Sequence, residues 1–139
     1  MNIIVNLWAV VACAVASMIV GSIWYGPLFG KTFIAATGMD QWPAEKKAAM
    51  KAKMAWSYVG QFIASLLMFY ILATFIVWSS PVLNVRFGMG VSFFMWLGFI
   101  VPVKYADTLW GGKMSLFWLS IGNMLITMLV AGAIIGAWR

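Results

Sequence analysis

Polar side chains are so scarce within the apolar runs of this chain that each one is a candidate for chemistry. Asn6 lies in the first run, Gln61 and Ser65 in the second, Trp96 in the third, and Asn123 and Thr127 in the fourth, with Asp107 just beyond the third. These types can hydrogen-bond or orient a solute, and Asp107 can carry an ion or a proton. On helices, Ser57, Gln61 and Ser65 share one face, and so do Ser120, Asn123 and Thr127. A polar stripe facing hydrocarbon would have no partners, so both faces should point into a bundle. Two readings are open for them. One is interhelical hydrogen bonding, worth about 0.6 kcal/mol per contact; the other is a narrow polar pathway for a small solute. Lys104 stands three residues before Asp107, the spacing of an ion pair on a continuing helix. Trp96 lies mid-run, so its indole N–H needs a partner inside the bundle.

Catalysis needs constellations that are missing here. The chain has no histidine, a single cysteine (Cys13) and three acids (Asp40, Glu45 and Asp107). Serine or cysteine would have no imidazole base beside it, and the acids are too scattered to hold a metal. No enzyme, cofactor or metal site is expected, and one cysteine allows no disulfide within the chain.

The elements that position these residues follow from composition. Of 139 residues, 65% are hydrophobic and only 9% charged, against roughly a quarter charged in soluble domains. Four apolar runs, at 3–25, 56–78, 87–103 and 115–138, compare with the about 20 residues that a crossing helix needs. The first is too long for a signal-peptide core and no Lys or Arg precedes it, so it reads as a mature crossing. The third is short and contains Pro102, which should end or kink it. The expected fold is all-α: a four-helix integral membrane bundle forming one domain, residues 1–139.

The net charge of +6 comes from loops rather than from a nucleic-acid-binding face. Lys31, Lys46, Lys47, Lys51 and Lys53 fall in the first gap, 26–55, and Lys104 and Lys113 after the third run; only Arg86 and Arg139 fall on the other side. By the positive-inside rule the lysine-rich gaps face the cytoplasm and both termini lie outside it, in a bacterial inner membrane. Gly26-Pro27 reads as a helix stop, and Pro43 opens a short basic, amphipathic helix that lies on the cytoplasmic leaflet and leads into the second crossing. Trp24, Trp56 and Trp118 near one boundary, with Trp8, Trp78 and Trp138 near the other, read as interfacial belts.

Small residues recur at packing intervals: Ala9, Cys13, Ser17 and Gly21 on the first helix, Gly60 and Ala64 on the second, Gly132 and Gly136 on the fourth. Such stripes let helix backbones approach closely, within one chain or between copies. The halves also echo faintly, Gly21-Ser22-Ile23 before Phe29-Gly30-Lys31 and Gly98-Phe99-Ile100 before Gly111-Gly112-Lys113, as in a parallel repeat.

Val5-Asn6-x-Trp8-Ala9, Trp24-Tyr25-Gly26-Pro27-Leu28-Phe29-Gly30-Lys31, Gly98-Phe99 and Gly122-Asn123 together resemble the bacterial membrane family called domain of unknown function 1761. The resemblance covers nearly the whole chain and implies a four-helix membrane protein without an assigned activity. The family pattern has an acidic residue where Gly111 stands here.

Two function classes emerge. The first is a non-catalytic accessory or structural subunit that docks to itself or to a larger membrane complex, which the lack of a mid-membrane charge favours. The second is a small transporter or channel working as a homo-oligomer, which the aligned polar stripes support.

Overall fold

The computed structural model describes residues 4–79, 82 and 84–138. Helix α1 starts at Leu7, because Asn6 is its N-cap: the Asn6 side chain accepts from the backbone N–H of Trp8 at 3.1 Å and of Ala9 at 3.3 Å. The start expected at Ile3 lies outside the described residues. Asn6 therefore terminates a helix instead of lining a pathway inside it, a role worth about 1 kcal/mol.

Helix α1 continues past the expected stop. Leu7–Ile23 is α-helical, and Trp24–Leu28 adds a π-helical turn in which the Phe29 N–H donates to the Trp24 carbonyl at 2.9 Å. Pro27 sits inside that turn. A wider turn relieves the clash of a proline ring with the preceding carbonyl. Phe29 breaks the helix, α2 (Gly30–Thr37) follows, and Gly38 ends it at φ 73°, a left-handed conformation that suits glycine.

The basic stretch runs into the second crossing without a break, as one helix, α3 (Ala44–Ser79, 36 residues). It is about 54 Å long at 1.5 Å per residue, well beyond the hydrocarbon thickness. Lys46 lies over the Trp42 ring at 4.0 Å near its start.

The third crossing, α4, spans Val85–Leu109, 25 residues that pass straight through Pro102. Asn84 caps it by accepting from the Phe87 N–H at 2.7 Å. A second π-helical turn, Trp96–Ile100, precedes the proline, with the Val101 N–H donating to the Trp96 carbonyl. The run expected to close near Val103 is thus extended at both ends and is long enough to cross. A tight turn with Gly111 at φ 136° leads into α5 (Met114–Ala137).

The molecule is an all-α membrane bundle of four crossing helices, α1, α3, α4 and α5. Its core joins Val10, Cys13 and Ala14 of α1 with Phe69, Leu72, Ala73 and Ile76 of α3 and Met128, Ala131 and Ile135 of α5. All of these lie in the half of the bundle nearer the termini. Helices α4 and α5 make the closest pairing. There a Cβ on Gly88 would strike the Gly132 carbonyl, one on Gly132 would strike Ser92 Oγ, and one on Gly136 would strike the Asn84 carbonyl. Packing at this distance replaces the hydrophobic drive that lipid cannot provide between helices.

The small-residue stripes divide. Ala9 and Cys13 are buried, and the Cys13 thiol reaches the Ala131 carbonyl at 3.6 Å. Gly132 and Gly136 are buried against α4. Gly60 and Ala64 are exposed, and a Cβ on Gly60 would meet nothing within 4 Å, so neither packs within the chain. Gly21 likewise has no close neighbour, for a reason the next section gives.

Candidate functional site

Toward the lysine-rich end the four helices spread. Helix α3 is held mainly by α1 and touches α4 and α5 only lightly, which leaves a cavity of about 600 Å³ below the core. Helix α1 lines it with Ser17, Gly21, Ser22 and Tyr25, α3 with Tyr58, Gln61 and Ser65, α4 with Lys104, and α5 with Ser120, Asn123 and Thr127. Met18, Met68 and Met124 complete the wall. The two polar stripes expected to face inward meet in part: Gln61 and Ser65 share one space with Ser120, Asn123 and Thr127, while Ser57 is exposed and lines neither this space nor its neighbour.

The hydroxyls of this wall are not equivalent. Ser65 donates to the Gln61 carbonyl at 2.8 Å, and Ser17 to the Ala14 carbonyl at 2.7 Å with Ser65 Oγ at 3.5 Å. Ser22, Thr37, Thr74, Ser79 and Thr108 each donate back to the carbonyl four residues before. Thr127 is 4% exposed, yet its hydroxyl has no such bond and no other partner, and Asn123 Oδ1 beside it is also unpartnered. Ser92 is the third buried orphan among the described residues, but it lies in the α4–α5 seam rather than on the cavity. Leaving a buried polar atom unmet costs about 1–3 kcal/mol, and two such atoms belong to residues that line this one cavity.

A smaller cavity of about 300 Å³ adjoins the first and shares Tyr25, Lys104 and Ser120 with it. Tyr25 and Ser120 stand where the two spaces meet. Asp107 lines only the smaller space, with Phe33, Thr108 and Lys113. Lys104 and Asp107 form no ion pair among the described residues, although they lie on one continuous helix.

Two tryptophans brace this region. Trp96 Nε1 donates to the Ile121 carbonyl at 2.9 Å, the internal partner that a mid-run indole needs. Trp24 Nε1 does the same to the Leu119 carbonyl at 3.0 Å, so Trp24 belongs to the bundle interior and not to an interfacial belt. A carbonyl can take this second donor on its other lone pair. Gly122 makes room for the Trp24 ring, since a Cβ there would lie 2.8 Å from a ring carbon. Trp8, Trp56, Trp78, Trp118 and Trp138 remain exposed, as a belt requires. Each bracing tryptophan also opens a π-helical turn. The two halves thus echo through Trp24-x-Gly26 and Trp96-x-Gly98, a register different from the one expected.

Of the candidate polar residues, Gln61, Ser65, Asn123 and Thr127 meet at the larger cavity, and Asp107 reaches the smaller one. Asn6 and Trp96 lie on neither. Ser17 and Gly21, expected to pack helices, line the space instead, and this is why Gly21 has no close neighbour. Tyr25 was not singled out, although it continues the stripe of Ala9, Cys13, Ser17 and Gly21 by another four residues. Among the described residues no group of three His, Cys, Asp or Glu comes together to hold a metal.

Fold and cavity define a small polytopic membrane protein with a polar chamber open among its crossing helices. The chain belongs to the family described as protein of unknown function DUF1761, whose model matches residues 8–136. Neither the curated proteins nor the solved structures yield a match.

Proposed function

We propose that this protein binds a small polar solute in the larger cavity and acts as a small transporter or channel, without catalysing a reaction. One observation carries the reading: Thr127 and Asn123, both lining a cavity of about 600 Å³, each hold a buried side-chain oxygen that has no partner. A protein built only for packing would be more stable with apolar residues at both positions. The volume lies within the about 300–1,000 Å³ typical of small-molecule sites. Hydroxyls, amides and one lysine line the wall, a set suited to binding but lacking a nucleophile with its base. The lysine bias between loops supports an orientation with the cavity's lysine-rich end in the cytoplasm of a bacterium and both termini outside.

The accessory-subunit reading keeps one observation. Gly60 and Ala64 present an exposed small-x-x-x-small face with nothing packed on Gly60, suited to a second copy or another membrane subunit. The two readings are compatible in a homo-oligomeric transporter.

The test is thermal stability of the purified protein against a panel of small polar solutes, for wild type and Asn123→Leu. At least one solute class should protect the wild type, and Asn123→Leu should lose that protection while staying folded. If no solute protects the wild type at millimolar concentration, the cavity is a packing defect and the reading fails. Native mass spectrometry of wild type and Gly60→Leu addresses assembly: loss of a defined oligomer in the variant would support the exposed face as its contact.

A further inference from the structure

Resting on the reading of the larger cavity as a solute site, we infer that its ligand is a small organic anion that also carries hydroxyl groups. The charge on the wall is the first ground. Among the described charged residues, only Lys104 lines the larger cavity. Asp107 reaches the smaller space alone, and no ion pair among the described residues occupies the Lys104 ammonium. The Lys104 ammonium repels a cationic solute, whereas an anionic oxygen gains a charge-assisted hydrogen bond from it.

The second ground is the α5 side of the wall. Asn123 and Thr127 line the cavity, each with a buried side-chain oxygen that has no partner. The unpartnered atom of Asn123 is its amide oxygen, so the group that meets it must donate. A hydroxyl donates there, and it also satisfies the Thr127 hydroxyl, which is itself a donor and an acceptor. An anionic head at Lys104 with hydroxyls toward Asn123 and Thr127 answers every unmet group on the wall. Such chemistry has two sources, a soluble hydroxycarboxylate or the hydroxylated headgroup of an anionic lipid.

The experiment uses the full chain in nanodiscs of phosphatidylcholine, with glycerate and gluconate as anionic probes and glycerol as the neutral control, read by calorimetry. Matched nanodiscs containing phosphatidylglycerol report the lipid source through a rise in thermal stability. Glycerate or gluconate should bind about tenfold or more tightly than glycerol, or the anionic lipid should stabilise the protein. Lys104→Gln should remove that preference and Lys104→Arg should retain it. Gln61→Glu exchanges an amide for a negative charge on the wall, so it should weaken the anions several-fold more than glycerol. Glycerol binding as tightly as glycerate, unchanged in Lys104→Gln, would overturn the anion assignment and leave the solute site standing. If no probe binds and neither lipid changes stability, the solute site falls with it.

Discussion

Replacing Thr127 by valine should make the ligand-free protein more stable. Valine matches threonine in shape and removes only the hydroxyl, which is buried at 4% exposure and makes no hydrogen bond. Relief of an unmet buried hydroxyl is worth about 1 kcal/mol at the lower end of its range, or about fivefold in the folding equilibrium. Ser65→Ala supplies the control of opposite sign. Ser65 is as deeply buried, at 2% exposure, but donates to the Gln61 carbonyl at 2.8 Å. Its loss should cost about 0.6 kcal/mol. Reversible unfolding in bicelles by steric trapping, without added solute, reads both effects. The same Thr127→Val protein should bind the solute more weakly, so stability and affinity move in opposite directions at one atom. Destabilisation by Thr127→Val of about 1 kcal/mol would refute the reasoning, because the hydroxyl would then be engaged in the empty protein.

Three further outcomes follow from the packing. Gly132→Ala places a methyl against Ser92 Oγ and the Gly88 backbone and should destabilise the bundle by about 1–3 kcal/mol in the same unfolding assay, while Gly60→Ala, on an open face, should be close to neutral. Trp24→Phe and Trp96→Phe each remove an indole donor to α5, and each should cost about 1 kcal/mol, with faster amide exchange around Leu119 and Ile121 as the local sign. Gly111→Asp forces a side chain onto φ 136° and should lower stability by about 1 kcal/mol or more, measured by thermal unfolding.

Helix count and inward polar faces were legible because they depend on short-range periodicity. Ser57, Gln61 and Ser65, or Ser120, Asn123 and Thr127, fall on one side of any α-helix whatever it packs against. Small residues were legible as contact surfaces but not as to their partners: nothing in Gly60-x-x-x-Ala64 distinguishes it from Gly132-x-x-x-Gly136, yet one is exposed and the other buried. The partner of the second was itself readable, since Gly88 and Ser92 repeat the same interval on α4. Trp24 was misread because a tryptophan at a helix end suits a belt as well as a brace; only the facing Gly122 separates the two. Asn6 was placed in a helix since its capping role depends on where the first turn closes. Proline signalled a stop at two positions where a wider turn absorbs it.

The turn at Trp96–Ile100 also decides which residues α4 shows to the bundle. Five residues per hydrogen-bonded loop instead of four act as a one-residue insertion, turning everything beyond it by about 100°. An unbroken α-helix that keeps Gly88 and Ser92 against α5 would bring Phe99, Val103 and Ala106 to the same side. In the structure Phe99 is 68% and Val103 59% exposed, toward lipid, while Lys104 and Asp107 face the cavities. The phase slip therefore exchanges an apolar face for a charged one within a single helix. A variant that closed this turn as an ordinary α-helix without losing a residue would carry Lys104 out of the chamber, whereas deleting one residue from the turn would leave it facing inward, so the position of the cation lining the larger cavity is a property of helix winding.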